Sequence, residues 1–136
     1  MDPSNSQPFT PKLGAMIILI LWGAALWGVG VLGLRWVASF DALTGLGQIS
    51  VYIAIVIGTI PLIPLTLRIA GLPRAATVPA VAIVSMTALL IDGIVIGYQP
   101  WVYSTDPAVA RACAGALLWA VGVALALGFL MQPRKR

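Results

Sequence analysis

The sequence predicts an all-α polytopic membrane protein of four transmembrane helices packed as an antiparallel bundle, and three observations predict it. Of its 136 residues 60% are hydrophobic, and the mean hydropathy is +1.02. Only 9% are charged, against about 25% in an ordinary soluble domain, so no polar shell can cover the surface in water. The apolar residues also form four continuous runs of about 20 residues, the length that crosses a hydrocarbon layer of ~30 Å at ~1.5 Å per residue. A barrel strand would instead alternate over about ten.

The first span is expected at residues 13–34. Thr10-Pro11 places a capping hydroxyl before a proline at a first helical position. The apolar run is longer than a cleaved leader's, and only Lys12 precedes it as a charge, so it is expected to be retained. The second span, 46–67, carries Pro61 and Pro64. Each proline lacks an N–H and crowds the preceding turn, which predicts a helix kink with freed carbonyls. That kink reads either as a tolerated membrane irregularity or as a hinge or cavity lining. The third span is expected at 78–98, with Thr77 as its cap and Pro79 in its first turn. The fourth, at 109–131, follows Asp106-Pro107, another cap and first-turn proline. Residues 1–10 form a short polar head, and the whole chain reads as one domain, 1–136.

Lys12, Arg68, Arg74, Arg134, Lys135 and Arg136 fall on one side of such a chain, and Arg35 and Arg111 on the other. By the positive-inside rule both termini are expected in the cytoplasm, with the loops around Asp41 and Asp106 outside. The formal net charge of +4 then serves topology and contact with anionic headgroups. Scattered over helix ends, it is no nucleic-acid patch.

Asp92 is the only acidic residue within a span. An ionisable group in lipid is costly unless paired or wetted, and Arg35 and Arg111 stand near its level. The expectation is an intramembrane ion pair of Asp92 with Arg35 and Arg111. It reads either as a structural pin between helices or as a polar site for an anion or a proton relay. Ser85 lies two turns before Asp92 on nearly the same face, and Gly93 and Gly97 beside it permit close backbone approach. Ala108, Ala112, Ala116, Ala120, Ala124 and Gly128 recur every four residues. They form a helix-packing stripe, an internal seam or a surface for a second protein. Gly23, Gly28, Gly30 and Gly33 make a second, less regular seam.

Trp36, Tyr98, Trp101 and Tyr103 read as an aromatic belt at the outer boundary. Trp22, Trp27 and Trp119 lie deeper and are candidates to face a partner, a pigment or a lipid. Cys113 reads as a small buried filler. With no His or Glu and a single Cys, the chain lacks the commonest metal ligands and bases, any Ser-His or Cys-His pair, and any disulfide. No enzyme, no metal and no cofactor are expected, and His-ligated haem or chlorophyll is excluded.

Leu26-Trp27 followed by Arg35, the proline-containing second span, Ile91-Asp92, and Leu117-Leu118-Trp119-Ala120 with Gly122 resemble a family of small four-helix bacterial membrane proteins, a domain of unknown function. The resemblance spans nearly the whole chain. It implies the four-helix topology and an association of Arg35 with Asp92, without supplying an activity. The expected function is therefore that of a non-enzymatic accessory or structural subunit of a larger complex in the bacterial inner membrane. Its partners would be the bilayer, other membrane subunits or further copies of itself. The alternative is a small oligomeric transporter or channel working through Asp92, Arg35 and Arg111. It would lack the first-helix acid used by small four-span exporters.

Overall fold

The computed structural model describes residues 9–134. Four helices, α1 (Leu13–Ala38), α2 (Gly45–Ile69), α3 (Thr77–Tyr98) and α4 (Pro107–Met131), account for most of them, with 3-10 turns at Arg74–Ala76 and Pro100–Val102. All four are long and apolar enough to cross a membrane. Residues 1–8 of the polar head, and Lys135 and Arg136 of the basic count, lie outside the described residues.

The helices run beyond the apolar stretches because hydrogen bonding, not hydropathy, ends them. α1 continues through Arg35 and Trp36 to Ala38, where the Ser39 N–H returns to the Arg35 and Trp36 carbonyls and the Ser39 hydroxyl donates to Trp36 O at 2.6 Å. The chain then turns through Asp41 and Gly45, both at positive φ. α2 stays helical past Pro61 and Pro64. The two missing N–H groups leave the carbonyls of Ile57 and Ile60 without their usual donors.

The expected cap at Asp106 forms as anticipated. The Asp106 carboxylate accepts from Ala108 N at 2.8 Å and Val109 N at 3.4 Å, with Pro107 opening α4. α1 begins two residues after Pro11, with Lys12 at its cap position and no side-chain cap. Thr77 is already helical, and its hydroxyl donates back to Arg74 O at 2.6 Å. The free Val78 N–H is taken instead by the side-chain carbonyl of Gln132, at 2.7 Å, which ties the start of α3 to the end of α4.

α1 packs on α3, α3 on α4 and α4 on α2, while α1 and α2 touch little. Small residues set this order. At Gly23 the backbone of Val84 comes so close that a Cβ would meet its carbonyl oxygen at 3.0 Å, and at Gly128 a Cβ would meet the Val81 side chain at 3.3 Å. Without a hydrophobic force separating helix from lipid tail, such close approach is what holds neighbouring helices. The α4 stripe turns inward from Ala112 onward, with Ala116 fully buried and Ala108 left exposed at its start. In the glycine seam of α1, Gly23 meets α3 and Gly30 meets Leu117, whereas Gly28 and Gly33 face open space.

Buried side chains gather into two clusters. One joins Val31, Leu34, Leu43, Tyr103, Cys113 and Leu117, and the other Leu19, Leu67, Ala70, Ala76 and Ala80. The middle turns of the four helices, which lie between these clusters, surround a cavity.

Candidate functional site

The cavity has a volume of about 310 Å³ and is lined from all four helices, mostly by aliphatic side chains and glycines. Its lining includes Val29 of α1 and Gly58 of α2, both exposed, so it opens sideways where those two helices part. In a bilayer that opening faces the acyl chains.

Four polar side chains reach its wall: Thr59, Thr66, Ser85 and Asp92. The threonines are satisfied within α2, Thr59 donating to Ile55 O at 2.7 Å and Thr66 to Leu62 O at 2.8 Å. Thr66 also accepts the Trp22 indole N–H at 3.0 Å, one of the few links between α1 and α2.

Asp92 is 3% exposed. Its Oδ1 accepts two hydrogen bonds, from Trp27 Nε1 at 2.6 Å and from the Tyr103 hydroxyl at 2.5 Å. Both partners are neutral donors carried on large apolar rings, which suits a carboxyl group at this depth. The second oxygen, Oδ2, has no hydrogen-bond partner among the described residues, and neither has the Ser85 hydroxyl. No side-chain N or O of the described residues is sealed away without a partner. Neither oxygen is therefore fully sealed off, and both residues line the cavity.

The expected ion pair is not formed. Neither Arg35 nor Arg111 has a nitrogen within 4.0 Å of the Asp92 carboxyl. The cause is axial position. Trp27 and Asp92 stand about 21 and 22 Å along α1 and α3 from their starts, whereas Arg35 stands about 33 Å along, roughly 10 Å past the carboxyl. Its guanidinium turns to the loop and donates to Val102 O at 2.7 Å. Arg111, exposed on the first turns of α4, lines a separate outer groove with Trp101, Ser104 and Thr105.

Tyr103 corrects a second expectation. Of the four aromatics expected in the interface belt, Trp36, Tyr98 and Trp101 are exposed, but Tyr103 is only 2% exposed. Its ring belongs to the buried cluster and also lines the groove of Arg111, while its hydroxyl reaches Asp92, which lines the cavity. Burial, with the carboxyl hydrogen bond added, holds its phenol well above the ordinary value of 10.0.

The three deep tryptophans each give their N–H to a neighbouring helix, Trp22 and Trp27 while partly buried and Trp119 from the exposed face of α4. Trp22 bonds Thr66, Trp27 bonds Asp92, and Trp119 bonds Tyr52 O at 3.2 Å while stacking on the Tyr52 ring with centroids 5.2 Å apart. Cys113 is a free, buried thiol packed in the cluster around Tyr103, as a filler would be. No group of three or more His, Cys, Asp or Glu side chains able to hold a metal occurs among the described residues. Tyr103 is the residue that sequence reasoning misplaced, whereas Trp27, read as facing a partner, a pigment or a lipid, lines the cavity and has Asp92 as a partner not foreseen. A matching depth count from the two helix starts that share one side would have paired Trp27 with Asp92.

Comparison with known proteins finds no matching family model, no similar curated protein and no similar solved structure.

Proposed function

We propose that this chain is a non-enzymatic integral membrane protein, an antiparallel four-helix bundle with both termini in the cytoplasm, that binds a small lipophilic molecule in its intrabundle cavity. The observation that carries this reading is the cavity itself. A bundle built only to pack would close its middle turns as it closes both ends, but here small residues on α1, α2 and α4 hold about 310 Å³ open toward the lipid. That volume lies at the lower end of the range used for small-molecule sites, which are typically apolar with a few placed polar groups. Orientation rests on the basic residues, with Lys12, Arg68, Arg74 and Arg134 toward the cytoplasm and Arg35 and Arg111 away from it. The bacterial inner membrane is the setting that goes with this reading.

A second reading, an accessory subunit of a larger complex, is favoured by the same gap between α1 and α2, where a helix of another subunit could lie. Native mass spectrometry from lipid nanodiscs separates the two. Binding predicts the 14.2 kDa chain, alone or in copies, with a non-covalent small molecule that Gly58→Leu displaces. Gly58 lines the cavity at its exposed edge, and a Cβ added there meets nothing within 4 Å, so the bulk is added without a clash at its base. Stoichiometric foreign membrane subunits would support the accessory role. A chain that neither retains nor takes up any small apolar molecule would refute the binding function.

A further inference from the structure

Resting on the reading of the cavity as a binding site, we infer that its ligand class is the lipophilic organic cation, an ammonium carried on an apolar body, and that Asp92 Oδ2 is the group that recognises it. Three observations converge on this. Asp92 is 3% exposed and lines the cavity. One of its oxygens is engaged by Trp27 and Tyr103, which anchors the carboxyl, while the other has no partner among the described residues and is not sealed off from the cavity that Asp92 lines. No guanidinium or ammonium of the described residues lies within 4.0 Å to neutralise it.

Ionising a carboxyl in an apolar wall without a counter-charge is costly, and the cost is relieved when a ligand brings the missing positive charge. An ammonium donates to Oδ2 without disturbing the two bonds on Oδ1. It also comes to rest beside the Trp27 indole, which lines the same part of the cavity and whose ring attracts cations. An anion would meet the carboxylate with like charge, and both arginines that could offset it are committed or placed elsewhere. A neutral molecule would fill the volume but leave Oδ2 unpaired. The aliphatic lining from Leu26, Leu62, Val84 and Ala124 takes the apolar body, and the opening between α1 and α2 admits it from the bilayer. This site is distinct from the Asp92–Arg35–Arg111 arrangement expected from sequence, since it needs the arginines to be absent.

The test uses three probes with one fluorophore: 1-pyrenemethylammonium, 1-pyrenemethanol and 1-pyrenecarboxylate. Full-length protein in phosphatidylcholine nanodiscs is titrated at pH 7, energy transfer from tryptophan to pyrene is followed, and partition into protein-free nanodiscs is subtracted. The ammonium should bind at least tenfold more tightly than the alcohol, and the carboxylate should not bind. Asp92→Asn should bring ammonium and alcohol to equal affinity, and Gly58→Leu, which leaves the carboxyl in place, should weaken both. Equal binding of ammonium and alcohol by the wild type, both lost in Gly58→Leu, would overturn the cation inference while leaving the cavity as a binding site. Saturable binding of none of the three would overturn both. A preference for the ammonium that survives Asp92→Asn would place the cation elsewhere and overturn the role of Asp92. Should Asp92→Asn fail to fold, the wild-type ratio and Gly58→Leu still decide the question.

Discussion

Replacing Tyr103 with Phe removes one oxygen from a side chain that is otherwise left in place, so it isolates the phenol bond to Asp92. That bond is 2.5 Å long, joins a buried ring to a buried carboxyl, and links the loop before α4 to α3. Removing one partner of a buried hydrogen-bonded pair costs about 1–3 kcal/mol. Asp92 keeps its Trp27 bond in the variant, and Oδ1 already shares two donors, so the loss should be about 2 kcal/mol. At ~1.4 kcal/mol per factor of ten, this lowers the folding equilibrium constant about 30-fold. The assay is reversible unfolding in mixed micelles of a mild detergent and dodecyl sulfate, followed by tryptophan fluorescence. Trp27→Phe should cost a comparable amount. The double variant should lose less or more than the sum, because the two donors share one acceptor oxygen. A loss below about 0.5 kcal/mol for Tyr103→Phe, or strict additivity of the two, would refute the claim that this network holds the α3–α4 end of the bundle.

Alkaline titration supplies an independent check on the same residue. Because the folded protein raises the phenol's value above 10.0, it holds that proton more tightly than the unfolded chain. The stabilisation is complete below about pH 10 and is lost as pH climbs further. Wild type should therefore lose stability above pH 10 more steeply than Tyr103→Phe, and parallel curves would contradict it. Gly23→Ala should destabilise by about 1–3 kcal/mol, because its Cβ meets the Val84 backbone at 3.0–3.2 Å, whereas Gly122→Ala, with nothing within 4 Å, should not destabilise. Thermal denaturation in detergent measures both. Ala116→Leu, at a fully buried position of the α4 stripe, should cost a similar 1–3 kcal/mol by overpacking. Arg35→Gln and Asp92→Asn should be additive in the same unfolding assay, since the two residues share no partner.

How much of this was legible beforehand differs between levels. Four helices, their approximate limits, the cap at Asp106 and the inward α4 stripe all follow from one-dimensional signals, because continuous apolar length and periodic small residues act along a single helix. The further turn of α1 past Leu34 escaped hydropathy, since Arg35 and Trp36 continue the backbone ladder while being polar or amphipathic. The cap of α3 was equally out of reach, because its acceptor, Gln132, is 54 residues away.

Composition and periodicity alone determined that the chain lacks a soluble polar shell, that it folds as four long apolar helices, and that Asp92 would need partners at its depth. Only the tertiary structure decided which partners. Charge complementarity pointed to Arg35 and Arg111, but reach along the helix axis governs contact. At Asp92 the packing of α1 on α3 brings the indole of Trp27, and the 3-10 turn before α4 folds Tyr103 inward. The same packing order, with α1 joined to α3 and scarcely to α2, leaves the middle of the bundle open, with the Asp92 carboxyl lining it. Neither the order in which helices neighbour one another nor the space left between them is encoded in any single span, because both arise from how closely small residues on different helices let backbones approach.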